Sequence, residues 1–418
     1  RVNMTVLGFY VVGCVCAILV SFSLGEKFVP RMALTVMIVV VIIGFAMMAP
    51  YFAYVFDFLQ PENIIGHIRA NSRRAAEIGT RCKKPAEREL WQAHTLTGME
   101  QLTDITVNSL TGKDKIIATA GVDALKDFAV SYLSLKDRAR DEWFAVLGNV
   151  RKNPDFVSMS AESLADLEAR KTWVEWKLLR QYQAIYGEAL ASMRDINYVI
   201  AIDTRYIGEA ALAHQDAQVL ALCVKFFNSY LRQTLNAKDV RTAYNILNQY
   251  RQLTESIVKA GWDDKAVEVA DYIKYYGHVS FAMSLPFVTE TVAYDLCALC
   301  ELAHASRPQV EERLLRVFLE VDQPAIDGEM QETSLRGVRK AQVKLATFYL
   351  AEAKERLART IFQDMKNERA ERLLSIRDEL ERVESKDFWE IIDRGTNFDY
   401  LEPRRKAMLK TFFGWFDK

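Results

Sequence analysis

Proline, glycine, cysteine and histidine are all scarce in this chain, at 9, 18, 6 and 5 of 418 residues. Few helix breakers and no two-residue alternation of apolar residues leave a helical reading for everything from Pro61 onward. The cysteines are scattered, and Cys14 and Cys16 lie inside an apolar run. That excludes a disulfide framework and fits a reducing compartment. Net charge is −1, with 54 basic and 55 acidic residues, so no global field points to nucleic acid. Dinucleotide-type Gly-x-Gly-x-x-Gly is absent. Leu110-Thr111-Gly112-Lys113 resembles the end of a phosphate loop, but Val107 stands where that loop needs its first glycine. His67, His94, His214, His278 and His304 form no pair with glutamate at metalloprotease spacing. No local serine or cysteine catalytic signature is present, so no enzyme and no cofactor is predicted.

What is abundant is uninterrupted apolar sequence at the start. Met4 to Leu24 and Met32 to Phe56 contain no Asp, Glu, Lys or Arg. A helix of about 20 apolar residues spans a bilayer core. The two runs therefore predict a transmembrane hairpin (spans 4–24 and 32–56 within residues 1–57), joined by Gly25-Glu26-Lys27-Phe28-Val29-Pro30-Arg31. Arg69, Arg73, Arg74, Arg81, Lys83 and Lys84 follow the second run and place the bulk of the chain in the cytoplasm. Tyr51, Phe52 and Tyr54 suit the interface at that end, and Pro50 predicts a kink. Gly13 with Ala17, and Ala49 with Ala53, are small residues at a spacing that lets membrane helices pack closely. No ionisable residue occupies either run, which removes the usual mark of an ion relay. The chain opens on Arg rather than Met, so further membrane helices are expected ahead of it.

The rest divides into a juxtamembrane helical region (58–152), a helical bundle or array of helix pairs (153–384) and a C-terminal segment (385–418). Val338, Ala341, Leu345, Tyr349, Ala353, Leu357, Ile361 and Met365 recur at intervals of three and four and predict one long helix face. Lys340, Lys344, Glu352, Glu355 and Arg359 read as its solvated side. Asn153-Pro154 and Pro324 to Gly328 mark breaks. Ser306 with Gln309 reads as a capping box, and Asn236 with Asp239 as a second. Between about Asp195 and Met365 the texture suggests antiparallel helix pairs of roughly 35 to 40 residues, either degenerate tetratricopeptide-like units or a plain bundle.

One resemblance adds to this. Leu7-Gly8-Phe9 with Cys14, Phe28-Val29-Pro30, Tyr51-Phe52, Leu59-Gln60 and Ile64 to Ile68 form one block. Asp104-Ile105-Thr106-Val107-Asn108-Ser109-Leu110, then Gly112 and Ala118 to Leu125, form another. In these blocks, over residues 4–135, the chain resembles the bacterial family called domain of unknown function 2254, a set of predicted membrane proteins. Its loop Gly112-Lys113-Asp114-Lys115 lacks the proline of the family's Gly-Asn-Asp-Pro-type loop. The resemblance implies membrane helices ahead of Arg1, a cytoplasmic tail and no established activity.

Two constellations remain. Cys297-Ala298-Leu299-Cys300 with His304 is the best metal candidate, because paired thiolates at this spacing bind zinc. No second cysteine pair completes it, and within an apolar helix the stronger reading is two small core residues. Arg404 and Arg405, with Phe412, Phe413, Trp415 and Phe416, make a basic-aromatic end. It suits either the headgroup layer or a partner, against the alternative of a terminal helix packing on the bundle. The acid-rich stretch Asp378 to Glu402 reads as a solvated face. Together these predict an all-α scaffold anchored in the bacterial inner membrane, oligomeric or joined to other protein subunits. The alternative is an oligomeric channel or tension sensor with a hydrophobic gate.

Overall fold

The computed structural model describes residues 2–22, 31–146, 148–322, 336–388, 393–395 and 397–417. Every regular element among them is a helix. The chain forms two compact units, divided after Ile68.

The first unit holds α1 (Val2–Phe22) and α2 (Arg31–Leu59). The Tyr10 hydroxyl donates to the Gly44 carbonyl at 2.6 Å, and Gly13 faces Val40. Rising numbers on one helix meet falling numbers on the other, so the two run antiparallel. Gly13 and Ala17 line the groove between the two helices, Ala17 and Ala53 are both exposed, and the side chain of Ala49 is outside the described residues. Arg31–Ala53 is long and apolar enough to cross a membrane, by length and composition. The apolar part of α1, Gly8–Phe22, is shorter than that length, so among the described residues the structure holds one helix long enough where two spans are expected. Val12, Ile18, Leu19, Ile42 and Phe45 turn their side chains outward.

Residues 58–68 belong to the first unit, and from Arg69 onward the three segments expected after the hairpin fall in one unit, Arg69–Lys418. It opens with α3 (Pro61–Arg81), whose second half belongs to it, then α4 (Pro85–Thr111) and α5 (Lys115–Lys136). Short helices α6 (Gly148–Lys152), α7 (Pro154–Val157) and α8 (Ala161–Ala169) lead to the regular part. There α9 (Trp173–Ser192), α10 (Arg194–Ala213), α11 (Ala217–Asn236), α12 (Val240–Lys259), α13 (Asp263–Ala282) and α14 (Pro286–Ser306) follow, then α15 (Pro308–Leu319). Beyond the next described residue, Arg336, come α16 (Arg336–Ala351), α17 (Glu355–Met365), α18 (Ala370–Arg382), α19 (Pro403–Lys406) and α20 (Leu409–Phe413). Helices α5, α10, α12, α14 and α16 pack side by side as one layer, and α9, α11, α13 and α15 as a second.

The regularity has a local cause. Helices α10 to α13 are each 20 residues long, and α11 to α14 start at Ala217, Val240, Asp263 and Pro286, 23 residues apart. A helix pair thus occupies 46 residues, longer than the 35 to 40 expected from apolar texture. The turns share one geometry. A single residue takes positive φ: Lys113, Lys171, Gln215, Lys238, Gly261, Ser284 or Ala353. The next amide donates to a carbonyl five residues back, as in Asp216 to Ala211, Asp239 to Thr234 and Trp262 to Ile257. That next residue is also the cap of the following helix. The Asp114, Asp216 and Asp239 carboxylates accept amides of the first turn. One residue therefore ends a helix and its successor begins another.

These turns correct three readings. The stripe from Val338 to Met365 is not one helix, because Ala353 takes φ 57° and folds it into α16 and α17. Neither glycine nor proline marks that turn in the sequence. Asp239 alone caps α12, while Asn236 is the last residue of α11. Ser306 donates back to the Leu302 carbonyl rather than forward, and Arg307 before Pro308 starts α15. The break at Pro324 to Gly328 lies outside the described residues. Between layers, Gly277 lets α14 approach, since a Cβ there would stand 2.9 Å from Val292 Cγ1. Stacked rings fill the core, with Tyr186 on Tyr230 at 4.6 Å and Phe227 on Tyr250 at 4.8 Å.

Candidate functional site

The face formed by α12, α14 and α16 is covered by a non-helical strap, whose described residues are Asp393, Arg394, Gly395, Asn397, Phe398 and Asp399. The helices set out its anchor points at helical spacing: Arg241, Tyr244 and Asn245 on α12, Tyr294 and Asp295 on α14, and Lys340 and Lys344 on α16.

Arg394 is the centre. Its Nη1 donates to Asp295 Oδ1 at 2.5 Å and its Nη2 to Asp295 Oδ2 at 3.2 Å. Nη2 also donates to the Tyr244 carbonyl at 2.6 Å, and the guanidinium lies 4.2 Å over the Tyr244 ring. The two side chains of this pair are 6% and 2% exposed, so both charges are out of water. Arg251 approaches the same carboxylate at 3.2 Å, which compensates Asp295 from a second side. Phe398 stacks on Tyr294 at 4.7 Å with an interplanar angle of 8°. Asp399 accepts from the Tyr294 hydroxyl at 2.6 Å and from Lys340 Nζ at 2.7 Å. Lys344 Nζ donates to the Phe398 carbonyl at 2.7 Å, and Asn245 to Asp393 at 2.9 Å.

The electrostatics follow from burial and pairing. Burial pushes the Tyr294 phenol well up, and the Asp399 carboxylate adds to it. Burial opposes the Lys340 ammonium, but Asp399 and Glu379 outweigh it and hold its pKa above the ordinary lysine value. Two cavities flank the strap. One of about 440 Å³ lies beside Arg251, Lys344, Arg394 and Arg405, and one of about 730 Å³ beside Tyr244, Phe287 and Glu290.

Sequence reasoning missed this site. Lys340 and Lys344 read as a solvated face, and Asp393 and Asp399 as solvated acids, yet all four hold the strap. Nothing local signals a pairing such as Arg394 with Asp295, which joins residues 99 positions apart. The predicted candidates lie elsewhere. Cys297 and Cys300 are buried in α14, and burial pushes both thiols up. His304 Nδ1 lies 2.8 Å from Glu311 Oε1. No group of three or more candidate metal ligands occurs among the described residues.

The basic-aromatic end packs on the bundle. Phe412 and Phe413 are buried, and Trp415 and Phe416 pack around Phe362 at 5.7 and 4.7 Å. Arg405 pairs with Glu301 at 2.9 Å and covers the Phe348 ring, while Arg404 reaches Glu352 at 3.1 Å. Phe412 and Phe413 are thus dry against the bundle, while Trp415 and Phe416 stay half-buried beside Phe362 on α17.

No protein-family model matches the chain, and no curated protein does. Among solved structures, a circular tandem repeat protein with novel repeat topology and enhanced subunit contact surfaces is similar over 76% of this chain and 84% of that one. Identity is 12% and the TM-score 0.36, a likeness too low to carry an argument.

Proposed function

We propose that this chain is a membrane-anchored helical scaffold that binds an extended polypeptide segment on the α12–α14–α16 face. The strap carries this reading. A non-helical stretch lies on that face through a clamped guanidinium, a stacked ring and a doubly held carboxylate, which is the chemistry of peptide recognition. Regular helix arrays present such faces because adjacent helices repeat their side-chain rows.

The anchor rests on the apolar length of Arg31–Ala53 and the outward apolar side chains of α1 and α2. The arginines and lysines that follow support a cytoplasmic array on the bacterial inner membrane. Partners in this reading are the bilayer and other protein subunits, either copies of this chain or different ones.

The test is cross-linking in intact membranes, mild extraction and mass determination with identification of every chain. A stable particle containing a second polypeptide, cross-linked through α12, α14 or α16, supports the scaffold. A monomer with no cross-linked partner, or a chain released by alkaline washing of membranes, overturns it.

A further inference from the structure

We infer that the cavity walled by Tyr244, Phe287 and Phe398 beside Glu290 is a binding site for an organic cation, an alkylated ammonium or guanidinium group. The cavity shares Phe398 and Asp399 with the strap, but the inference stands whether or not a partner polypeptide exists.

The walls and the charge both point to that ligand. The cavity has a volume of about 730 Å³, large enough for a small organic ion. Tyr244 packs against Phe287 at 5.7 Å and edge-on to Phe398 at 6.1 Å, so three rings bound one space. Ring faces attract weakly hydrated cations. Phe287 is 48% exposed, an apolar ring left partly uncovered at the cavity mouth.

Three carboxylates line the same space, Glu290, Asp393 and Asp399, against two cations, Arg241 and Lys340. Both cations are already engaged. Arg241 lies 3.4 Å from Asp393, and Lys340 holds Asp399 at 2.7 Å and Glu379 at 3.2 Å. Glu290 is half-buried and accepts the Gly337 amide at 3.1 Å, with no ion pair among the described residues. Gly337 makes room for it, since a Cβ there would stand 2.1 Å from the Glu290 carboxyl carbon. The Glu290 carboxylate thus lies beside three rings with no cation within ion-pair distance among the described residues, Lys340 and Arg336 acting on it only from farther off. The neighbouring wall shows the same chemistry satisfied from within the chain, where Arg394 lies over Tyr244 with Asp295 as its counterion.

A free small molecule and a side chain of another polypeptide offer the same cationic group, and the test separates them. The full chain in mild detergent is titrated with tetramethylammonium, methylguanidinium and the amide of Gly-Arg-Gly, at ionic strength held constant with NaCl. Binding is read by saturation-transfer NMR and by protection of the strap from protease. Because Phe398 and Asp399 belong to the strap, an occupied cavity holds it down. Saturable binding with slower strap cleavage is expected. Glu290→Gln, which keeps the Gly337 hydrogen bond, should weaken binding about tenfold, and Phe287→Ala about fivefold. Equal affinity for the free cations and the tripeptide assigns a small-molecule ligand, and at least tenfold tighter tripeptide binding assigns a polypeptide side chain. No saturable binding up to roughly 50 mM, or equal binding by the Glu290→Gln variant, overturns the site.

Discussion

Two buried cations in the second unit are held in different ways. Lys177, on α9, is 1% exposed and reaches Glu100 at 2.8 Å and Asp155 at 2.5 Å, with Asn153 at 3.0 Å. Its carboxylates keep contact with water, at 37% and 22% exposed. Arg394 and Asp295 are both dry, and the arginine comes from a non-helical strap. The first arrangement pins a short loop and helix against α9 and leaves its anions solvated. The second clips a distant stretch of chain onto a helical face and leaves its anion dependent on arginines. A buried ion pair is costly to break when the remaining partner cannot reach water.

The largest expected effect follows from that difference. Asp295→Ala strands Arg394 in a dry site and should cost about 3–5 kcal/mol in denaturant unfolding of the whole chain. It should also open the strap to protease between α18 and α19. Arg394→Ala should free the strap at a smaller cost in stability, because Arg251 remains 3.2 Å from Asp295. Equal costs for the two variants would break the comparison. Lys177→Met should cost about 1–3 kcal/mol, since Glu100 and Asp155 can hydrate once the lysine is gone. A loss as large as that of Asp295→Ala would show that solvated partners give no relief.

A third site sharpens it through pH. Asp203, on α10, sits near Lys126 at 3.6 Å and accepts from the Tyr182 hydroxyl at 3.3 Å, with Asp123 and Asp127 close by. Burial pushes its carboxyl up to about 7, against the pull of Lys126. The folded chain therefore binds this proton more tightly than the unfolded chain does. Its contribution to stability is complete below the ordinary carboxylate value and is lost as pH rises through about 7. Asp203→Asn should remove that dependence. Relative to the parent, its unfolding free energy should gain at most a few kcal/mol between about pH 5 and 8. A parallel pair of stability curves would show that Asp203 is charged throughout.

The smallest effect concerns the turns. Lys238 is exposed and takes φ 53°, so Lys238→Gly should stabilise the chain by about 0.5–1 kcal/mol. The same change at exposed Lys225, inside α11, should destabilise by about 1 kcal/mol.

Much of the helical architecture was legible because its causes are local. Apolar residues at intervals of three and four and sparse glycine and proline all act within a few residues. The 23-residue spacing is not legible because the turn depends on a backbone conformation that Lys, Gln, Ser and Ala adopt at six of the named turns, with a glycine only at Gly261. The strap was illegible for a different reason. Lys340 and Asp399 look alike whether they face solvent or each other, and only the packing of α16 against α14 brings them to 2.7 Å. The C-terminal rings were ambiguous for the same reason, since an aromatic cluster needs a dry surface but does not say which.

By itself, then, the sequence determined the helical class, the apolar start and the missing local catalytic motifs, because periodicity, hydropathy and spacing are properties of short stretches. Tertiary structure decided the two-layer array, the strap and the cavity beside Glu290. Those require charges and rings from α12, α14, α16 and the C-terminal segment to share one dry space, and a pairing energy across 99 residues depends on where the chain has folded.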